Sequence, residues 1–177
     1  MINMVKNFLN QILIDHPPRS ILCVGRDISG ALTQFVTARP QCRIREINPT
    51  QINGQYLDLS AAMPWRDNSD TFDFGIVSDC IEHLTKNNAI HLLARLRDLY
   101  TKKLLIVVPI GDEWSEHQSR WQETELLALG FIVKAWLRFD EKPVHVYAFD
   151  IATYKTTPDW LNSKYWANPQ LWDKYWW

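Results

Sequence analysis

The sequence predicts an α/β fold: a three-layer, doubly wound sheet of about seven strands, mostly parallel and ending in an antiparallel hairpin. Three observations carry that expectation. Strand-like and helix-like segments alternate as far as Pro109, the pattern of parallel strands joined by crossover helices. The run Leu104-Leu-Ile-Val-Val-Pro109 is continuously apolar, as a strand covered on both faces should be. The last two strand-like segments are joined only by Asp140-Glu-Lys-Pro143, too short for a parallel crossover, so they pair as a hairpin.

The elements follow in order. Val5, Phe8, Leu9, Ile12 and Leu13 fall at helical spacing, and His16-Pro17-Pro18 closes that helix. Ser20-Ile-Leu-Cys-Val24 is a strand entering Gly25, and a helix over 30–38 places Leu32, Phe35 and Val36 inward. Residues 42–47 alternate and read as a second strand, stopped by Asn48-Pro49. Gln55-Tyr-Leu57 is a short third strand, and residues 72–77 form a fourth. A helix over 90–100 carries Leu92, Leu93, Leu96 and Leu99 on one stripe, and residues 103–109 are the fifth strand. The next helix, 121–129, ends at Gly130, where a left-handed cap residue belongs. Residues 131–139 and 144–151 complete the sheet.

Composition narrows the class. The chain has 177 residues, 46% of them hydrophobic and 22% charged, which suits one soluble domain with a sizeable core. A net charge of −1 gives no global attraction to nucleic acid or to acidic membranes. The apolar runs are strand-length and too short for a membrane span, and the first residues lack a signal-peptide design. The expected compartment is therefore the cytoplasm. Cys23, Cys42 and Cys80 are an odd set without Cys-x-x-Cys spacing, which points neither to a disulfide framework nor to zinc.

The stretch from Asp58 to Leu84 is the most informative. An acidic residue and a Met63-Pro64-Trp65 loop lead into the strand Thr71-Phe-Asp-Phe-Gly-Ile-Val77, then Ser78-Asp79 and Glu82-His83-Leu84. That order resembles the middle of class I S-adenosylmethionine-dependent methyltransferases, over roughly residues 18–152. The resemblance implies a methyltransferase-type Rossmann domain over 1–152, S-adenosylmethionine as cofactor, and methyl transfer to an acceptor it does not identify. The whole chain also resembles small bacterial proteins of this fold, which adds no chemistry. A nicotinamide enzyme is disfavoured, because the terminal hairpin and the Phe-Asp to Glu-His run do not suit it.

In an open α/β sheet the ligand sits at the carboxyl ends of the strands, where the chain order reverses. The first strand end is Cys23-Val-Gly25-Arg-Asp27-Ile-Ser29-Gly30. The family keeps an acid two places before the first glycine, and further glycines two and four places after it. Here Gly25 matches, whereas Cys23, Asp27 and Ser29 replace the other three. Asp27 either repels the cofactor's carboxylate or takes over the role of the missing acid. The glycine spacing equally fits a tight strand-to-helix turn.

Glu46 lies 21 residues past Gly25 (46 − 25), where Rossmann-type sites place the carboxylate that accepts ribose hydroxyls. Asp58 matches the family's adenine-binding acid; as Asp58-Leu-Ser60 it also fits a cap on the next turn. Ser78 would face the transferable methyl. Asp79 and His83 are the candidate catalytic residues, although Asp79-Cys80-Ile81-Glu82 also fits a capping box. Methyl transfer from a sulfonium mainly needs alignment of donor and acceptor, so no triad or metal motif is required.

The alternative is a non-catalytic relative that uses the fold as a binding module. It rests on the altered glycine loop, the lack of a large cap over the site, and the aromatic tail. Five of the nine tryptophans (Trp160, Trp166, Trp172, Trp176 and Trp177) fall in that tail, residues 153–177. Packed back on the domain, the tail is a strap; as a free aromatic surface it is a lid or a homodimer arm. The strap reading predicts that a chain truncated before Thr153 is insoluble or molten, since burial of each large aromatic contributes roughly 1.5 to 3 kcal/mol. A soluble fragment that melts cooperatively in a calorimetric scan contradicts it.

Overall fold

The computed structural model describes residues 5–26, 28–47, 71–154, 163–166, 168–171 and 174. Six strands form one sheet: β1 (Ser20–Gly25), β2 (Arg43–Ile47), β3 (Phe72–Ser78), β4 (Thr101–Pro109), β5 (Ile132–Phe139) and β6 (Lys142–Asp150). Their order is β2-β1-β3-β4-β6-β5. The first four are parallel, and β6 pairs antiparallel with both β4 and β5. The expected strand at 55–57 lies outside the described residues.

Helices cover both faces: α1 (Lys6–Asp15), α2 (Ile28–Ala38), α3 (Lys86–Arg95) and α4 (Glu123–Ala128). Side chains alternate across each strand, so neighbouring residues enter different cores. Ile21 and Cys23 join Leu9, Leu13, Leu32 and Phe35 on the α1/α2 side. Leu22 and Val24 join Leu92, Leu93, Trp121 and Leu126 on the α3/α4 side. Being covered on both sides is why β4 reads as an unbroken apolar run.

Element ends depart from the sequence pattern for local reasons. The helix expected over 90–100 begins at Lys86, because the Thr85 hydroxyl caps it by accepting from the Asn88 N–H. It turns π-helical over Leu96–Tyr100, which rotates Leu99 outward to 56% exposure. Val36, expected inward on α2, also lies at the surface. The helix expected from Trp121 starts two residues later, since Trp121 forms a strand-like bridge with Ile110. The hairpin is tighter than the sequence indicates. Asp140 (φ 48°) and Glu141 (φ 62°) alone make the turn, in the left-handed backbone that two-residue hairpin turns require.

Two glycines hold the frame. Gly130 (φ +84°) closes α4, and the Tyr154 ring occupies the space its Cβ would take. Gly25 (φ +129°) ends β1, and a Cβ there would lie 1.7 Å from the Ser78 carbonyl oxygen of the neighbouring strand. Both backbone sign and space therefore demand glycine. Gly25→Ala is expected to destabilise the fold by ~3 kcal/mol or more, from the strained φ and the overpacked strand end together. Chemical denaturation with an unchanged midpoint contradicts that contact.

Candidate active site

The strand order reverses between β1 and β3: β2 lies to one side of β1, and β3 and β4 to the other. The parallel register brings Gly25 opposite Ser78, so the residues that follow, Arg26 and Asp79, meet across the crevice. Arg26 Nε lies 2.7 Å from Asp79 Oδ2, and Arg26 Nη2 lies 2.8 Å from His83 Nε2. His83 Nε2 is in turn 2.8 Å from Asp79 Oδ1. The three side chains form a closed triangle in which His83 Nε2 either accepts from the guanidinium or, carrying a proton, donates to the carboxylate.

Local backbone makes this triangle. Asp79 is left-handed (φ 52°), a conformation that aspartate tolerates better than most residues and that turns its carboxylate toward Arg26. The capping box expected at 79–82 does not form in that way. Cys80, not Asp79, precedes the short 3₁₀ turn Ile81–His83, and Glu82 Oε2 accepts the Cys80 N–H at 3.0 Å. The Asp79 side chain is already committed to Arg26 and His83.

Electrostatics follow from these partners. The hydrogen bond from His83, with Arg26 adding to it, holds the Asp79 carboxyl below its ordinary range. The same bond raises His83. Glu82 is fully buried, and burial pushes its carboxyl up to about 7. Its Oε1 has no hydrogen-bond partner. Beyond the triangle, His117 stacks on Trp114 (centroids 5.0 Å, planes 7° apart) and meets the His83 ring edge-on at 5.5 Å. The Trp114 indole donates to the Pro143 carbonyl, and Ser119 Oγ donates to the Ile81 carbonyl. The loop after β4 is thereby tied to both the hairpin and the 81–83 turn.

Gly25, Glu46 and Ser78 fall at the same edge of the sheet. Glu46 sits near the end of β2, exposed, in a cleft of about 400 Å³ lined by Leu32, Thr33, Val36, Thr37 and Ile44. Ser78 ends β3 with its side chain wholly buried and its Oγ without a hydrogen-bond partner. Cys23, where the family keeps an acid, is a neutral core thiol; burial, with Glu46 adding to it, pushes it up to about 12. Gly25 ends β1 against the Ser78 carbonyl. Asp27 and Asp58 lie outside the described residues, as does the Met63-Pro64-Trp65 loop. Arg26 carries no role in the sequence reading, and Glu82 enters it only as the end of a capping box; the signal for Arg26 is its position directly after a strand end at the switch point.

A family model described as "Family of unknown function (DUF6231)" matches residues 3–177. The chain belongs to that family. No curated protein matches it in sequence. In structure, this DUF6231 member is similar to magnesium protoporphyrin IX methyltransferase from Synechocystis PCC 6803. With S-adenosylhomocysteine bound, that enzyme gives a TM-score of 0.56 at 9% identity, over 82% of this chain and 81% of that one. With S-adenosylmethionine bound, the values are 0.54 and 10%, over 82% and 77%. It is also similar to 1,6-didemethyltoxoflavin-N1-methyltransferase from Burkholderia thailandensis: TM-score 0.52, 14% identity, 81% and 75% covered. At these identities the likeness is one of fold. The α/β sheet with its antiparallel end is the methyltransferase-type Rossmann architecture. No helix among the described residues is long and apolar enough to cross a membrane.

The buried carboxyl of Glu82 gives a pH test. Between the ordinary carboxylate range and about pH 7, the folded chain keeps a proton that the unfolded chain releases. Its contribution is therefore full at low pH and lost as pH rises through about 7, by on the order of 3 kcal/mol in all. Glu82→Gln keeps an acceptor for Cys80 and does not titrate, while Arg26, Asp79 and His83 remain common to both chains. The wild-type melting temperature should fall relative to the variant from about pH 5 to about pH 7.5. Parallel curves contradict the burial argument.

Proposed function

We infer that this chain binds S-adenosylmethionine at the carboxyl edge of its sheet and transfers the methyl group to an acceptor held on the β4 side. The observation that carries the reading is the β1/β3 switch point, with the exposed Glu46 carboxylate near the end of β2 and the half-exposed Arg26 guanidinium just beyond β1. Glu46 would accept the ribose hydroxyls. Arg26 would meet the carboxylate of the methionine moiety, a role to which a planar cation is suited. Ser78 Oγ, buried at the end of β3 without a partner, is a donor waiting for an acceptor. Asp27 and Asp58 would complete the contacts from their loops.

When bound, S-adenosylmethionine supplies a sulfonium methyl for in-line displacement, and the protein's task is alignment. The chain's own contribution on the acceptor side is His83. Its Nε2 lies between Asp79 and Arg26, and the ring is oriented from both sides. With Arg26 turned to the cofactor carboxylate, the lone pair of a neutral Nε2 would be free to take a proton from an acceptor as the new bond forms. Trp114 and His117 form the rim.

A second reading, a non-catalytic binding module, is favoured by Cys23. A neutral, fully buried thiol cannot hold the cofactor's amino group, and Asp79 already has its countercharge in Arg26. Calorimetric titration separates the two. The methyltransferase reading expects measurable binding of S-adenosylmethionine, weakened about tenfold or more in Glu46→Ala through loss of charge-assisted hydrogen bonds. No heat at millimolar cofactor sinks it in favour of the binding module. An unchanged dissociation constant in Glu46→Ala removes Glu46 from the site.

A further inference from the structure

We propose that Asp79, Glu82 and His83 form a binding site for one divalent first-row transition-metal ion, with His117 beside it. Each of the three side chains offers a ligand atom, and these atoms lie within 4.8 Å of one another. Oxygen and nitrogen ligands about 2.0–2.2 Å from one ion stand roughly 3–4 Å apart, so small rotations of the side chains close the set. The His117 ring, 5.5 Å from that of His83, supplies an adjacent imidazole from the loop after β4.

A cluster of this kind can be explained by ion pairing alone, but Glu82 is not accounted for that way. It is fully buried, one oxygen accepts the Cys80 N–H, and Oε1 has no partner. A buried carboxylate oxygen without a donor is costly, and a cation held by the three side chains would satisfy it. The Cys80 N–H fixes the other oxygen, as groups behind a metal ligand commonly do.

Arg26 is the competitor. Its guanidinium brings positive charge to Asp79 and to His83 Nε2, but Glu82 Oε1 remains unpaired. The Arg26 side chain is 41% exposed and long enough to turn outward. An ion that takes its place gains the third ligand that Arg26 leaves unused. Two carboxylates with an imidazole suit Mn²⁺, Co²⁺ or Zn²⁺ better than Mg²⁺ or Ca²⁺, which prefer all-oxygen shells.

The test is a titration of the purified chain with Mn²⁺, followed by the loss of the free-ion electron paramagnetic resonance signal, with Zn²⁺ as displacing ion. One Mn²⁺ per chain is expected, released by Zn²⁺. Asp79→Asn preserves a residue that tolerates the left-handed backbone, and Glu82→Gln preserves an acceptor for Cys80. Each should weaken binding about tenfold or more. Arg26→Met should instead tighten it, an outcome that a purely structural ion pair does not produce. Binding seen only in Arg26→Met upholds the ligand set. No bound Mn²⁺ at millimolar concentration in either the wild type or Arg26→Met overturns the proposal. So does binding that both Asp79→Asn and Glu82→Gln leave unchanged.

Discussion

Where β1 and β3 end, the hydrogen atom of Gly25 leaves room for the carbonyl of Ser78, and no larger residue fits between them. That close approach fixes the register of the two central strands, which in turn decides what emerges at the carboxyl edge. Arg26 and Asp79, each the first residue beyond its strand, are set side by side across the switch point. The left-handed turn at Asp79 then brings the 3₁₀ segment back underneath, placing His83 against the pair and burying Glu82. The loop after β4 is fastened to this segment through Ser119 and meets it edge-on through His117. The site is thus a consequence of one backbone contact, propagated through a few residues on either side.

Charge at the switch point is arranged in opposed pairs, and Glu82 Oε1 stands outside them. Asp79 is balanced by Arg26 and His83, and pairs of this partly exposed kind contribute only about 0–1 kcal/mol to stability. Their value lies in orientation. The same guanidinium that balances Asp79 is the group a cofactor carboxylate would recruit, and it is also the group a metal ion would displace. Arg26 therefore links the two ligand readings with opposite signs: its removal should loosen an anionic ligand and tighten a cation. Glu82 Oε1, buried without a hydrogen-bond partner, belongs to the metal reading alone.

The sheet was legible in the sequence because parallel strands buried on both faces leave long apolar runs. The final hairpin was legible because chain length forbids a crossover there. Gly130 announced the end of α4 by the left-handed backbone it must adopt. Element starts were less legible. Thr85 caps α3 ahead of its apolar stripe, and the π-turn at Leu96–Tyr100 breaks the helical period that would have kept Leu99 inward. The places of Glu46 near the end of β2 and of Asp79 just beyond β3 were visible from the sequence pattern. Gly25 was visible as the end of β1, and the tight strand-to-helix turn that its spacing also fits is where the Ser78 carbonyl approaches it. Glu82 was legible only as a helix-start acid, because such a glutamate is ordinarily solvated and the tertiary packing of the 81–83 turn is what buries it.

The central claim is that the switch-point crevice, rather than the exposed apolar surface of β5 around Ile132 and Trp136, is where this protein takes its ligand. Backbone amide spectra of isotope-labelled protein during addition of S-adenosylmethionine address it directly. The account predicts shifts concentrated at Gly25, Arg26, Glu46, Ile47 and residues 78–83. Shifts confined to β5 and β6, with the crevice amides unmoved, would contradict it.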